Sequence, residues 1–136
     1  MFYADLTPYE YGYEMPRSHV LNVGWLSRGH PFSVGPVPGA FVDALRRRQR
    51  SPENLYRGYH RCEFCPAPPI VVSASGQRVI DAPGDTMGNG EIRVPGLGGV
   101  VYVAPVLVAH YVEVHHYQPP EEFIRAVMPS SNGTAA

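Results

Sequence analysis

The chain contains no lysine: all eleven of its basic residues are arginine. Schiff-base chemistry and Walker-type phosphate loops both need a lysine amine, so both are excluded. Cysteine is almost absent as well, with two residues in 136. No apolar run approaches the ~18 residues that would span a bilayer. The opening stretch "MFYADLTPYEYGYEMP" has no basic segment followed by an apolar one, so no secretory leader is expected. Neither sign of charge dominates: the formal net charge is -1. Such a balance makes no field to gather nucleic acid or an anionic membrane. Internal repeats are missing too. A cytoplasmic protein is the expectation, and in that compartment a close cysteine pair points to metal or redox chemistry rather than to a structural disulfide.

Turn-forming residues are plentiful instead, with 14 glycines and 15 prolines. Hydrophobic residues make up 44% and charged residues 17%, a composition that folds. Many short elements with irregular backbone between them are therefore expected, and a loop-rich chain of this kind gains from an added staple.

Apolar periodicity predicts where the elements lie. "YEYGY" at 9–13 alternates like a strand, with Gly12 as a possible bulge, and "HVLNVGWL" at 19–26 is a stronger one. Residues 39–50 read as a helix with Phe41, Val42 and Leu45 on one stripe, stopped by Ser51-Pro52. A strand then runs into a tight turn at Cys62–Cys65, followed by a hairpin about Ser75-Gly76. A second hairpin is expected to set Ile92 and Val94 against Val101 and Val103 across a glycine-rich turn. Pro105 is expected to open a buried helix reaching His116, and Pro120 a last one with Phe123, Ile124 and Val127 inward. The predicted fold is a single α+β domain over residues 1–128, a small, mostly antiparallel sheet against two or three helices. Residues 129–136 read as a flexible tail. Tyr3, Tyr9, Tyr11 and Tyr13 lie in a segment too polar for a central strand, so at least two of these rings are expected to be partly exposed, as at an interface.

Two stretches carry the chemistry. "HRCEFC" holds the cysteines in a Cys-x-x-Cys knuckle, a turn that lets both sulfurs face one ion. "AHYVEVHHY" supplies His110, His115 and His116, with His110 lying 45 residues after Cys65. Thiolate with imidazole suits Zn2+ rather than Mg2+ or Ca2+. Residues five apart on an ideal helix point about 140° apart and residues six apart about 120° apart. Neither His115 nor His116 can share an ion with His110 unless the helix end loosens, and geometry alone does not choose between them. The order of knuckle, hairpin and helix is that of treble-clef zinc domains. His60 could lie beside the site. A closed set of four protein ligands is structural; an open position would make a small zinc hydrolase or lyase, with Cys62, Cys65 and His110 as ligands and Glu113 as base. The deaminase and H-E-x-x-H patterns are absent. The "RRRQR" run reads as a solvated helix end or, alternatively, as a contact for phosphate or a partner.

At "NVGWLSRGHPFSVGPVP", "HRCEFCP", "GNGEIRV" and "HYVEVHHYQPPEEFIRAV" the chain resembles a family of small, uncharacterised bacterial proteins from actinomycete and myxobacterial genomes. The resemblance covers most of residues 3–128. The family pattern places a second histidine five positions after the first, then Tyr-x-Pro-Pro. It implies Cys62, Cys65, His110 and His115 as the ligands, with His116 at a variable position, and it supplies no activity. The function expected is that of a zinc-stabilised accessory protein whose partner is another protein.

Overall fold

The computed structural model describes residues 2–9, 17–52, 59–65, 70–72, 74–80 and 87–128. Along the chain the elements are β1 Pro8–Tyr9, β2 Arg17–Asn22, α1 Gly39–Arg48, β3 Tyr59–Arg61, β4 Ile70–Val72, β5 Arg78–Ile80, β6 Met87–Asn89, β7 Glu91–Pro95, β8 Val101–Pro105, α2 Val108–His115 and α3 Glu121–Val127. The architecture is α+β, as the sequence implies. A four-stranded sheet has the order β1-β2-β8-β7, and two antiparallel ribbons join β3 to β6 and β4 to β5. Two of the three sheet pairings are antiparallel; β2 and β8 run parallel. None of the described helices is long and apolar enough to cross a membrane.

The sheet carries apolar side chains on both faces. On one, Val23, Ile92, Val94, Tyr102 and Ala104 join Phe41 and Leu45 of α1, Val108 and Val112 of α2 and Phe123 of α3 in the main core. Phe123 meets Phe41 and Tyr102 edge-on, at centroid distances of 6.0 and 5.8 Å. On the other, Tyr9, Val20, Trp25 and Val103 form a smaller cluster. Tyr9 is buried and Tyr3 half-buried against Trp25, while Tyr11 and Tyr13 lie outside the described residues. The predicted strand at 9–13 is described only at Tyr9, the last residue of β1, and the tail at 129–136 likewise lies outside the described residues.

Two expectations about β7, β8 and the start of α2 need correction. The β7–β8 hairpin forms one residue out of the expected register: Ile92 faces Ala104, and Val94 faces Tyr102. Val101 and Val103 consequently lie on the other face. The turn sets this offset, since Gly96–Val100 closes with the Gly96 N–H on the Val100 carbonyl at 2.7 Å and left-handed Gly98 and Gly99 at its tip. The second concerns Pro105, which ends β8 opposite Glu91 instead of opening α2. The Val106 N–H still donates to the Gly90 carbonyl at 3.2 Å, so the chain remains tied to the sheet edge until Val108 can start the helix.

The second predicted strand stops at Asn22, short of residue 26, because Gly24 turns the chain with φ +78°. Its N–H donates to Asp5 Oδ1 at 2.9 Å. A Cβ at this position would come within 2.8 Å of Val108 Cγ2. Gly24→Ala therefore meets backbone strain and a clash together, and is expected to cost about 2 kcal/mol or more. Urea unfolding should show the midpoint fall with little change in slope.

Candidate metal centre

The β3–β6 ribbon carries the knuckle to the helix. Its contact point is Gly88, opposite His60, where a Cβ would meet Val106 and Leu107 side-chain carbons at 3.3–3.4 Å. Glycine thus lets the ribbon backbone approach the start of α2. The knuckle, Cys62–Cys65, follows β3 directly.

The two residues between the cysteines anchor it in opposite directions. Glu63 Oε1 accepts from Ser27 Oγ at 2.9 Å and from the Arg28 N–H at 3.0 Å, while Arg28 Nη2 donates to the Glu63 carbonyl at 2.6 Å. The Arg28 N–H is the leading reason that the Glu63 carboxyl is held below its usual range, with Ser27 adding to it against a small desolvation. Phe64 points the other way, packing on Phe32, Tyr111 and His115 at centroid distances of 5.3, 6.0 and 5.5 Å. Nothing in a Cys-x-x-Cys spacing marks what its inner pair will touch. Glu63→Ala should unclamp the knuckle at a cost of about 1 kcal/mol. It should also shorten the half-time of metal release to a chelator and lower the melting temperature by about 4 °C.

Four donor atoms converge above this anchor. His115 Nε2 lies 3.4 Å from Cys62 Sγ and 3.4 Å from Cys65 Sγ, and His110 Nε2 lies 3.3 Å from Cys65 Sγ. All four fall within 4.8 Å of one another, close enough to hold a metal ion. Cys62 and His110 are buried; Cys65 and His115 are half-buried. The two imidazoles meet edge to face, with centroids 5.1 Å apart.

The ideal 140° between residues five apart is overcome at the helix end. His116 takes a left-handed φ of 59°, and the Tyr117 N–H reaches back six residues to the Tyr111 carbonyl at 3.1 Å. That closure is one residue wider than a Schellman wrap. His115 is the last helical residue, and helix side chains lean toward the N-terminus, so its ring falls back over the turn that carries His110. His116 is exposed and outside the cluster. Glu113 is engaged on the exposed side by Arg46, away from any role as a base.

The electrostatics suit a cation. Burial pushes the Cys62 thiol up, opposed by the Phe64 N–H. Burial pulls His115 down, with His110 and His116 adding to it. The site thus keeps its imidazole neutral, as a ligand must be, yet penalises a lone thiolate; a cation at the centre would remove that penalty.

No curated protein and no solved structure matches the chain. Residues 1–128 match the family described as a domain of unknown function (DUF7919), and the chain belongs to that family.

Proposed function

We propose that the protein is a zinc-stabilised interaction module, with Cys62, Cys65, His110 and His115 holding one Zn2+ in a closed structural site. The spacing of the donors carries this reading. With Zn–S near 2.3 Å and Zn–N near 2.0–2.1 Å at tetrahedral angles, an S···N edge comes to about 3.5 Å. Three of the four S···N separations here are 3.3, 3.4 and 3.4 Å, and the fourth lies within 4.8 Å. Two thiolates and two neutral imidazoles saturate and neutralise the ion, so it would stabilise the fold and leave no position for substrate. Residues 1–128 act in this reading as one folding unit of a bacterial, cytoplasmic protein, where thiols stay reduced.

Support for a protein partner comes from the tip of the β7–β8 turn. Leu97 is 93% exposed there, beside a cleft of about 490 Å³ walled by Pro95, Val100 and Tyr102. An apolar knob next to a half-apolar hollow suits a protein surface better than a small polar substrate.

Metal analysis of protein purified without added zinc tests the first half of the proposal. One zinc per chain is expected. Fully folded protein with no metal would overturn it.

A further inference from the structure

The two sulfurs of the metal centre differ in access. Cys62 is fully buried, whereas Cys65 is half-buried. They are the only cysteines of the chain, and their Sγ atoms lie within 4.8 Å of each other. A reachable sulfur beside a sheltered one is the arrangement in which an oxidised cysteine finds its resolving partner. Zinc holds both as thiolates, the form that reacts.

The knuckle that carries them is anchored without the metal. Glu63 accepts from Ser27 and Arg28, and the Arg28 guanidinium returns to the Glu63 carbonyl. Phe64 packs on Phe32 and Tyr111. The two histidines stand on α2, and the chain just beyond His115 holds the far end of the same loop. There the Gly35 N–H donates to the His116 carbonyl at 3.1 Å, and the Gln118 N–H to the Ser33 carbonyl at 2.8 Å. Residues 27–35 thus run from one half of the metal centre to the other. Loss of the ion would leave the Arg28 end clamped and loosen the Gly35 end.

We propose that the centre is a peroxide-sensitive redox switch, in which Cys65 is oxidised first, Cys62 resolves it, and the resulting disulfide releases the ion. This rests on the zinc reading above. The Cys65 thiolate attacks one oxygen of hydrogen peroxide. The O–O bond breaks, leaving a sulfenic acid and a hydroxide that takes a proton to become water. The Cys62 thiolate then attacks the Cys65 sulfur. An S–S bond forms, the S–O bond breaks, and the second hydroxide leaves as water with a second proton. Each sulfur has lost one electron, and the peroxide has gained both. The ion keeps only His110 and His115 and departs. A small-molecule thiol reverses the step by exchange, itself becoming a disulfide. Because the knuckle stays anchored, its thiols are returned to the place where they bind zinc.

The test uses the full zinc-loaded chain, its zinc content measured beforehand, titrated with hydrogen peroxide beside a chromogenic zinc indicator. One zinc should appear per disulfide formed, and dithiothreitol with added zinc should restore the starting state. At substoichiometric peroxide, a cyclic-dione probe for sulfenic acid, located by tandem mass spectrometry, should label Cys65 at least about tenfold more than Cys62. Hydrogen exchange of the oxidised chain should speed up at the Gly35 and Gln118 amides and stay unchanged at Arg28. Retained zinc and intact thiols after peroxide would overturn the switch and leave the zinc reading standing. Labelling chiefly at Cys62 would overturn the order of attack. Sulfinic acid in place of the disulfide would overturn reversibility, and faster exchange at Arg28 would overturn the anchored knuckle. A purified chain without zinc would overturn the zinc reading, and this proposal with it.

Discussion

Stripping the metal with a strong chelator is expected to lower the melting temperature sharply and to free the knuckle from the end of α2. Returning zinc at neutral pH should reverse both changes. A structural zinc contributes on the order of 10 kcal/mol in apparent binding free energy. That exceeds what most single side chains supply, in a chain whose many glycines and prolines leave a large loop entropy to offset. The pH dependence follows from the ligands. His115 has its folded-state value depressed, chiefly by burial. Its stabilising effect is therefore present above the ordinary histidine range and is lost as the pH falls through the lower folded value. Protons then compete with the ion for the His115 imidazole, and acid below about pH 5 should mimic the chelator. Differential scanning calorimetry with parallel metal analysis reads both arms. An unchanged melting curve after proven metal loss would favour a catalytic ion in an already rigid fold.

The second large effect separates two adjacent histidines. His115→Ala removes the donor that contacts both sulfurs, and it should lose bound metal together with several kcal/mol of stability. His116→Ala should stay within about 0.5 kcal/mol, because that side chain is exposed and outside the cluster. His116→Gly should instead stabilise by roughly 1 kcal/mol, since φ 59° strains any residue with a Cβ. Metal stoichiometry and urea midpoints of the three variants measure this. Metal loss in either His116 variant would mean that the two histidines share coordination.

Much of this arrangement is legible in the sequence, and the exceptions have physical causes. Phe41 and Leu45 at helical spacing, and Phe123 and Val127 after Pro120, mark buried stripes because periodicity reports burial directly. The hairpin about Ser75-Gly76 also forms where turn chemistry places it. The β7–β8 register does not follow from composition, because a run of Val-Tyr-Val offers apolar groups to both faces and only the turn decides between them. The choice between His115 and His116 likewise depends on one backbone angle at His116, which no spacing rule contains. Glu91 shows the limit most plainly. Alternation in "EIRVP" sends it to the face opposite Ile92, which a small sheet would leave in water. Tyr9, from a strand at the far side of the sheet, reaches over that face and donates to Glu91 Oε1 at 3.0 Å. Long-range cover of this sort has no local signature.

The parallel pairing of β2 with β8 has a consequence for how the chain is made. Val20 pairs with Val101, so β2 leaves the ribosome 81 residues before its partner. At about 5–20 residues per second, that is a wait of roughly 4–16 s. β8 is also the strand that β7 pairs with, so the nascent sheet lacks its middle throughout that interval. Phe41 and Leu45 of α1 meanwhile have no Tyr102 or Val94 to cover. A chain whose synthesis halts before Val103 has no sheet to fold around, and it should be recognised by proteases as unfolded rather than persist as a shortened, partly working product.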